Sequence, residues 1–204
     1  MAPPRNTRRR RALADAVIEV LGTAGIHKLS HRAADERAGL PAGTAANYFP
    51  RRDDLLAAAA ERVAELHVAE MTAADRAAAG RHSPANAASG LDVLAALIGA
   101  SLHDAATRNR TRYLAAYELA LESTRQPALA EAMSRLGAAA FGTTLTEHRS
   151  LGLPTTAEQV QALIALYNGT LLTLVVAPPE TVTPEATLAL ARSLVTGVSR
   201  LQRA

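Results

Sequence analysis

Residues 29–55, LSHRAADERAGLPAGTAANYFPRRDDL, decide how this chain folds. Ser30 is suited to an N-cap, where its hydroxyl accepts from a free amide of a helix's first turn. Ala33, Ala34, Asp35, Glu36 and Arg37 continue that helix. Gly39 stops it, since glycine enters the left-handed region at little cost. Pro41 suits the first turn of a new helix, where its missing N–H removes no bond. This second helix, Ala42 to Tyr48, is barely two turns long, and Phe49-Pro50 closes it. Asp53 and Asp54 then stand where the N-terminus of a third helix favours negative charge.

Two short helices around a glycine-containing turn are the sequence form of a helix-turn-helix. The second helix of that motif enters the major groove, led by its N-terminal residues. Here these are Ala42, Gly43, Thr44 and Ala45, small enough to bring the backbone close to base edges. Thr44 offers a hydroxyl to a base or phosphate and a methyl to thymine. Asn47 can pair with adenine through two hydrogen bonds, and Tyr48 can reach a phosphate. Arg8, Arg9, Arg10, Arg11, Arg32, Arg51 and Arg52 are candidate phosphate contacts. Ser30 and His31, at the start of the first helix, complete the candidate surface.

The order Ser30, Ala38-Gly39, Gly43-Thr44, Asn47-Tyr48-Phe49 and Arg52-x-x-Leu55 resembles the DNA-binding domain of the tetracycline-repressor (TetR) family of bacterial regulators. The resemblance covers about residues 8–60. One departure stands out: Asp35 occupies a position where the family usually has a small apolar residue. A buried, unpaired carboxylate is costly, so Asp35 is expected either to be paired, for instance with a nearby arginine, or to sit on a slightly rotated helix. Ala34 replaces a larger aliphatic, which implies a loosely packed small core. The resemblance implies a three-helix head on a C-terminal helical bundle that binds ligand and dimerises. It also implies pairing of the last two helices with their mates in a four-helix bundle, and a small-molecule pocket whose occupancy respaces two DNA-binding heads.

Composition agrees with such a protein. The 204 residues suit one large domain or two small ones, and a hydrophobic content of 49% is ample for a core made mainly of Ala, Leu and Val. There is no cysteine, which excludes disulfides and thiolate chemistry. No 18-residue uncharged apolar run is expected to exist, which argues against a membrane span, and Asp15 and Glu19 interrupt any signal-peptide core; the cytosol is the expected compartment. The net charge of +3 is unevenly placed. Residues 1–52 hold ten basic and four acidic side chains, a net +6, whereas the remainder holds twelve against fifteen, a net −3. A basic head on a mildly acidic body puts the nucleic-acid footprint at one end.

Outward from the opening stretch, Met1 to Thr7 is expected as an arm. Leu13, Ala16, Val17, Val20, Leu21 and Ala24 have helical spacing, ended by Gly25. A long helix is expected from Arg52 to about Ala79, with Leu55, Leu56, Ala59, Val63 and Leu66 along one side. GRHSPANAASG, residues 80–90, reads as a loop. Further helices follow over residues 91–107, around Tyr113 to Leu121, from Pro127 to about Arg149, from about Val160 to Val176, and from Pro184 onward. No strand pattern is convincing. The expected fold is therefore all-α with about nine helices, divided into a head at 1–52 and a body at 53–204.

The last two helices are the expected dimer surface, through Val160, Leu163, Ile164, Tyr167, Leu171, Leu174, Leu188, Ala191, Leu194, Val195 and Val198. Leu166, Leu172 and Val176 lie off the main stripe, and a helix apolar on more than one side must be covered on more than one side. Candidate ligand contacts put a polar handle on an apolar face: His103, Tyr113, Tyr117, Tyr167 and Asn168, with Met133 and Phe141 as apolar wall. Each tyrosine fits equally well as a core residue with its hydroxyl at the edge. The chain has no HExxH, no glycine-rich phosphate loop and no cysteine nucleophile. His27 and His31 straddle a helix start and make a poor metal pair. An enzyme is not expected, and no cofactor or metal is implied. The expected function is a dimeric, ligand-responsive regulator of a palindromic operator, most simply a repressor. Two alternatives stay open: a DNA-binding regulator without a small-molecule effector, and a helical module binding ligand or protein.

Overall fold

The computed structural model describes residues 4–79 and 87–200. Among the described residues there are nine α-helices and no strand. They are α1 Pro4–Ala24, α2 His31–Ala38, α3 Thr44–Tyr48, α4 Arg52–Ala79, α5 Ala87–Ala106, α6 Arg110–Ser123, α7 Pro127–Ser150, α8 Ala157–Val176 and α9 Pro184–Arg200. Single turns of 3-10 helix stand at Ile26–Lys28 and Pro179–Thr181. The all-α fold expected from the sequence is the fold observed.

Three boundaries differ from the expected ones. Helix α1 begins at Pro4, so residues 4–7 of the expected arm are helical and the Arg8–Arg11 run lies on a helix; residues 1–3 lie outside the described residues. Helix α3 begins at Thr44, leaving Pro41 and Ala42 in the turn. Helix α5 begins at Ala87, which removes residues 87–90 from the expected loop; residues 80–86 of that loop lie outside the described residues.

The chain forms two compact units, one of Met1–His67 with Thr111–Gly137, the other of Val68–Arg110 with Ala138–Ala204. In the first, α1 supplies Leu13, Val17 and Leu21, and α4 supplies Leu55, Leu56, Ala59 and Val63. Ala34, Ala45 and Phe49 close the helix-turn-helix onto that core, and Ala115, Leu119, Leu129 and Ala132 extend it through α6 and α7. Ala34 is fully buried in this core. At Gly22, a methyl group would stand 2.0 Å from the Thr111 carbonyl oxygen, so the end of α1 lies directly on the first turn of α6. Arg62 of α4 bridges Asp15 of α1 at 2.7 Å and Glu65 at 2.9 Å.

The second unit is centred on Leu94, Ala95, Leu153, Leu163, Val195 and Val198. Gly99 of α5 faces the Leu188 backbone of α9, where a methyl group would come within 2.9 Å of its Cα. Thr156 and Gln159 form a capping box at the start of α8. The buried Gln159 also donates to the Val198 carbonyl at 3.3 Å, tying α8 to the end of α9. By length and composition α8 could cross a membrane, with a mean hydropathy of 1.5 over eighteen residues, contrary to the expectation that no such run exists. Its inner side, Val160, Leu163, Leu171 and Val175, is nevertheless core of this unit.

Candidate nucleic-acid interface

Helix α3 has five residues. A helix that short cannot sustain itself, because nucleation costs more than its few internal bonds return. Its N-cap, Gly43, has φ 87° and no side chain to cap with, and Gly39 turns the chain out of α2 at φ 63°. The missing cap comes from α2. Asp35 is 2% exposed, and its Oδ2 accepts from the Gly43 amide at 2.8 Å while its Oδ1 accepts from the Ala45 amide at 2.7 Å. The partner expected to be an arginine is thus a pair of backbone amides. Such charge-assisted bonds are short and strong, and the carboxylate stands at the positive end of the helix dipole.

The other end of α3 is held as well. Arg10 of α1 donates through Nη1 to the Tyr48 carbonyl at 3.0 Å and lies over the Phe49 ring at 4.4 Å. His31 of α2 bonds the Phe49 carbonyl through Nε2 at 2.7 Å, which requires the proton on that nitrogen. An anion at the N-terminus and a cation at the C-terminus both complement the dipole. Arg52 has an internal engagement too: Nη2 donates to the Ile26 carbonyl at 2.7 Å and Nε to that of Leu29 at 3.4 Å. Arg10, His31 and Arg52 were expected at phosphates; each instead bonds a main-chain carbonyl at a helix end or turn and so braces the motif, the Ile26 carbonyl accepting from the Leu29 amide as well.

Ala42, Gly43, Ala46 and Asn47 are exposed, and Thr44 and Tyr48 are half-buried. The Thr44 hydroxyl donates to the Pro41 carbonyl at 2.5 Å, which leaves its lone pairs as acceptors. Ser30 caps α2, accepting from the Ala33 amide at 3.1 Å. Arg8 and Arg9 are exposed on α1 and have no ion-pair partner among the described residues. Arg11 stands 3.7 Å from Glu65, Arg32 pairs with Glu36 at 2.7 Å and Arg51 with Asp54 at 3.0 Å. Hydrogen bonds from the Arg51 side chain and backbone hold the Asp54 carboxyl below its ordinary range. Exposed pairs of this kind contribute little to stability.

The candidate ligand contacts fall on both units. Tyr113, Tyr117 and Met133 belong to the first, with Tyr113 and Tyr117 one turn apart on α6. Burial, with a smaller push from Tyr113, raises the Tyr117 phenol to about 12, so it stays a neutral donor. The Tyr113 hydroxyl lies 3.5 Å from His67 Nδ1. His103, Phe141, Tyr167 and Asn168 belong to the second unit, where the Tyr167 hydroxyl bonds Ser101 at 2.7 Å. His103 is half-buried and Asn168 is exposed.

The expected dimer stripe is turned inward. Val160, Leu163, Leu171, Ala191, Val195 and Val198 are buried within the chain itself, and Ile164, Tyr167, Leu174, Leu188 and Leu194 are half-buried. The strongest apolar periodicity marks each helix's own core face, which is why the sequence pointed there. The residues that α8 leaves exposed include Ala165, Leu166, Gly169, Leu172, Thr173 and Val176, beside the polar Gln161 and Asn168; on α9 they include Ala186, Ala189, Leu190, Ser193 and Gly197, beside Arg192 and Thr196. Val176 is 63% exposed, Leu166 46% and Leu172 44%.

Sequence reasoning did not find the bracing role of Asp35, Arg10, His31 and Arg52. The one available signal was the acidic residue at a position expected to be apolar.

A family model, described as the tetracyclin repressor-like C-terminal domain, matches residues 89–200. That is more than half of the chain, and the protein belongs to the TetR family. Among solved structures, a TetR-family member from Streptomyces coelicolor A3 is 28% identical, with a TM-score of 0.67 over 96% of this chain and 98% of that one. The multidrug binding protein EbrR complexed with ethidium is 25% identical, with a TM-score of 0.67 over 97% of this chain and 99% of EbrR. A transcriptional regulator from Rhodococcus sp. Rha1 shares the fold at 18% identity, with a TM-score of 0.73 over 93% of this chain and 95% of that one. No curated protein sequence matches the chain.

Proposed function

We propose that this TetR-family protein is a cytosolic, homodimeric repressor, with a head at 1–52 that reads a palindromic operator and a body at 53–204 that binds a small molecule and thereby releases it. The observation that carries the reading is the α2–turn–α3 element: α3 is fixed at both ends and presents Asn47 and its small neighbours on a head of net charge +6. Thr44 and Asn47, with the backbone at Ala42 and Gly43, read bases. Ser30, Arg8, Arg9, Arg11, Arg32, Tyr48 and Arg51 lie on phosphates, where they set register and supply the salt-dependent part of affinity. Arg10, His31 and Arg52 hold the motif in shape. No catalytic step is assigned to any residue.

The outer strips of α8 and α9 support the dimer. Leucines and valine interleaved with Ala165, Gly169, Ala186 and Gly197 allow a partner helix to approach closely, and contiguous exposed apolar surface of this kind marks an interface. Two half-sites then add their discrimination, which one short recognition helix alone supplies weakly. EbrR, at 25% identity, binds ethidium; planar aromatic cations are therefore the first ligands to try, with Tyr113, Tyr117 and Met133 as candidate contacts in one unit and His103, Phe141, Tyr167 and Asn168 as a separate candidate set in the other.

The test is selection of bound duplexes from a random pool at near-physiological salt. Enrichment of an inverted repeat supports the reading, and a pool that stays random despite binding refutes sequence-specific repression. Ethidium should then raise the melting temperature and release the selected duplex. Stabilisation by no member of a cationic and neutral ligand panel would leave a regulator without an effector.

A further inference from the structure

We propose that Asp35 is a specificity-determining positioning residue: it fixes the pose of α3 from which Thr44 and Asn47 read bases. The inference rests on the proposed DNA readout and deepens it. The two carboxylate oxygens take the amides on either side of Thr44, those of Gly43 and Ala45. The Thr44 amide between them donates to the Pro41 carbonyl at 3.1 Å, as does its hydroxyl. All three consecutive amides of the leading edge are therefore held. Asn47 is held through the same chain, because its amide donates to the Gly43 carbonyl at 3.1 Å. The residue that reads and the side chain that fixes it are thus linked through one residue, Gly43.

A carboxylate under a DNA-binding helix opposes the general attraction to phosphate. Anything serving affinity alone would place no anion there. Asp35 instead limits the movement of a short helix, and base discrimination depends on such preorganised geometry more than phosphate attraction does. This separates positioning from mere structural support: loss of the charge should lower specific binding while leaving non-specific binding unchanged or stronger.

The experiment compares full-length wild-type protein with Asp35→Asn and Asp35→Ala, each shown folded by circular dichroism. Affinities are measured at one salt concentration for the selected duplex, its single-position variants and a random duplex. Asp35→Asn keeps the volume and one acceptor but sets an NH2 against an amide. It should bind the selected duplex about tenfold more weakly, the scale of one charge-assisted bond, and Asp35→Ala more weakly still. Random-duplex affinity and salt slope should hold, and the base preference should flatten at the positions that Asn47→Ala flattens. An unchanged specific-to-random ratio, or an equal fall in both affinities, overturns the proposal. Amide hydrogen exchange of the wild type without DNA is an independent readout: slow exchange at Gly43 and Ala45 supports the proposal, and open-chain rates overturn it even if the variants do not fold. A wild type that selects no sequence overturns the DNA readout itself; a wild type that selects one while Asp35→Asn selects it equally overturns only the role of Asp35.

Discussion

Replacing Arg52 by alanine tests whether the braces of the helix-turn-helix have been assigned correctly. The substitution removes a bond of 2.7 Å to the Ile26 carbonyl and a longer one of 3.4 Å to that of Leu29. The first involves a charged donor in a half-buried site, worth about 1.5–3 kcal/mol, and the second lies near the outer limit and adds little. The expected loss is about 2 kcal/mol, roughly thirtyfold in the folding equilibrium. Urea unfolding followed by far-ultraviolet circular dichroism should show a lower midpoint with an unchanged slope. Arg52→Lys should fall with it, since an ammonium cannot reproduce the guanidinium fork. The salt dependence of DNA binding, measured under conditions where both proteins are folded, should not change. Arg9→Ala should do the opposite: stability within about 0.5 kcal/mol of wild type, with the salt slope reduced by about 0.9 for one lost phosphate contact. Wild-type stability in Arg52→Ala together with a slope lower by that amount would falsify the assignment and return Arg52 to the phosphates.

Asn47→Ala should relax preference at one base pair per half-site, costing about 1–3 kcal/mol there; competition with single-position operator variants reads it, and unchanged preference everywhere removes Asn47 from the readout. Leu172→Asp, at an outer position of α8, should leave a folded monomer in sedimentation analysis, and a dimer of wild-type affinity would place the interface elsewhere. His148 is buried, with Nδ1 bonded to Thr155 and Nε2 without a partner among the described residues, and burial lowers its pKa below the ordinary 6.5. Because the unfolded chain takes up the proton first, stability should be full above about pH 6.5 and decline as pH falls toward the folded-state value. Urea midpoints of His148→Gln should lack that decline, and parallel curves for the two proteins would contradict it. Gly22→Ala forces a methyl group onto the Thr111 carbonyl and should cost about 3 kcal/mol, the upper end of overpacking; a melting temperature equal to that of wild type would mean that α1 and α6 separate freely.

The boundaries of α2 were legible because they rest on local chemistry. Ser30 accepts from the Ala33 amide, and Gly39 adopts the left-handed conformation that ends the helix. The start of α3 was misjudged by two residues because Pro41 is equally at home in a turn, and the turn was decided by Gly43 at φ 87°. Six residues of the expected dimer stripe lie in the chain's own core for another reason. Periodicity shows that Leu163 and Leu171 share a face of α8, but both faces of that helix are apolar, and only packing against α9 and α5 shows which of them the chain covers itself.

What the sequence by itself determined is therefore what neighbours along the chain control: the all-α fold, the two short helices around their turn, the basic head and the choice of Asn47 as an outward residue. What only the tertiary structure decided is the work of charged side chains whose partners lie far along the chain. Arg10, His31 and Arg52 look from the sequence like phosphate-facing groups, and Asp35 like a carboxylate in want of a partner. In the folded chain Arg10 reaches Tyr48, His31 reaches Phe49, Arg52 reaches Ile26, and Asp35 reaches Gly43 and Ala45. For Asp35, Arg10 and His31 the reason is that a five-residue helix leaves more peptide groups unpaired than it pairs, and those groups must be satisfied by whatever donors and acceptors the fold brings alongside.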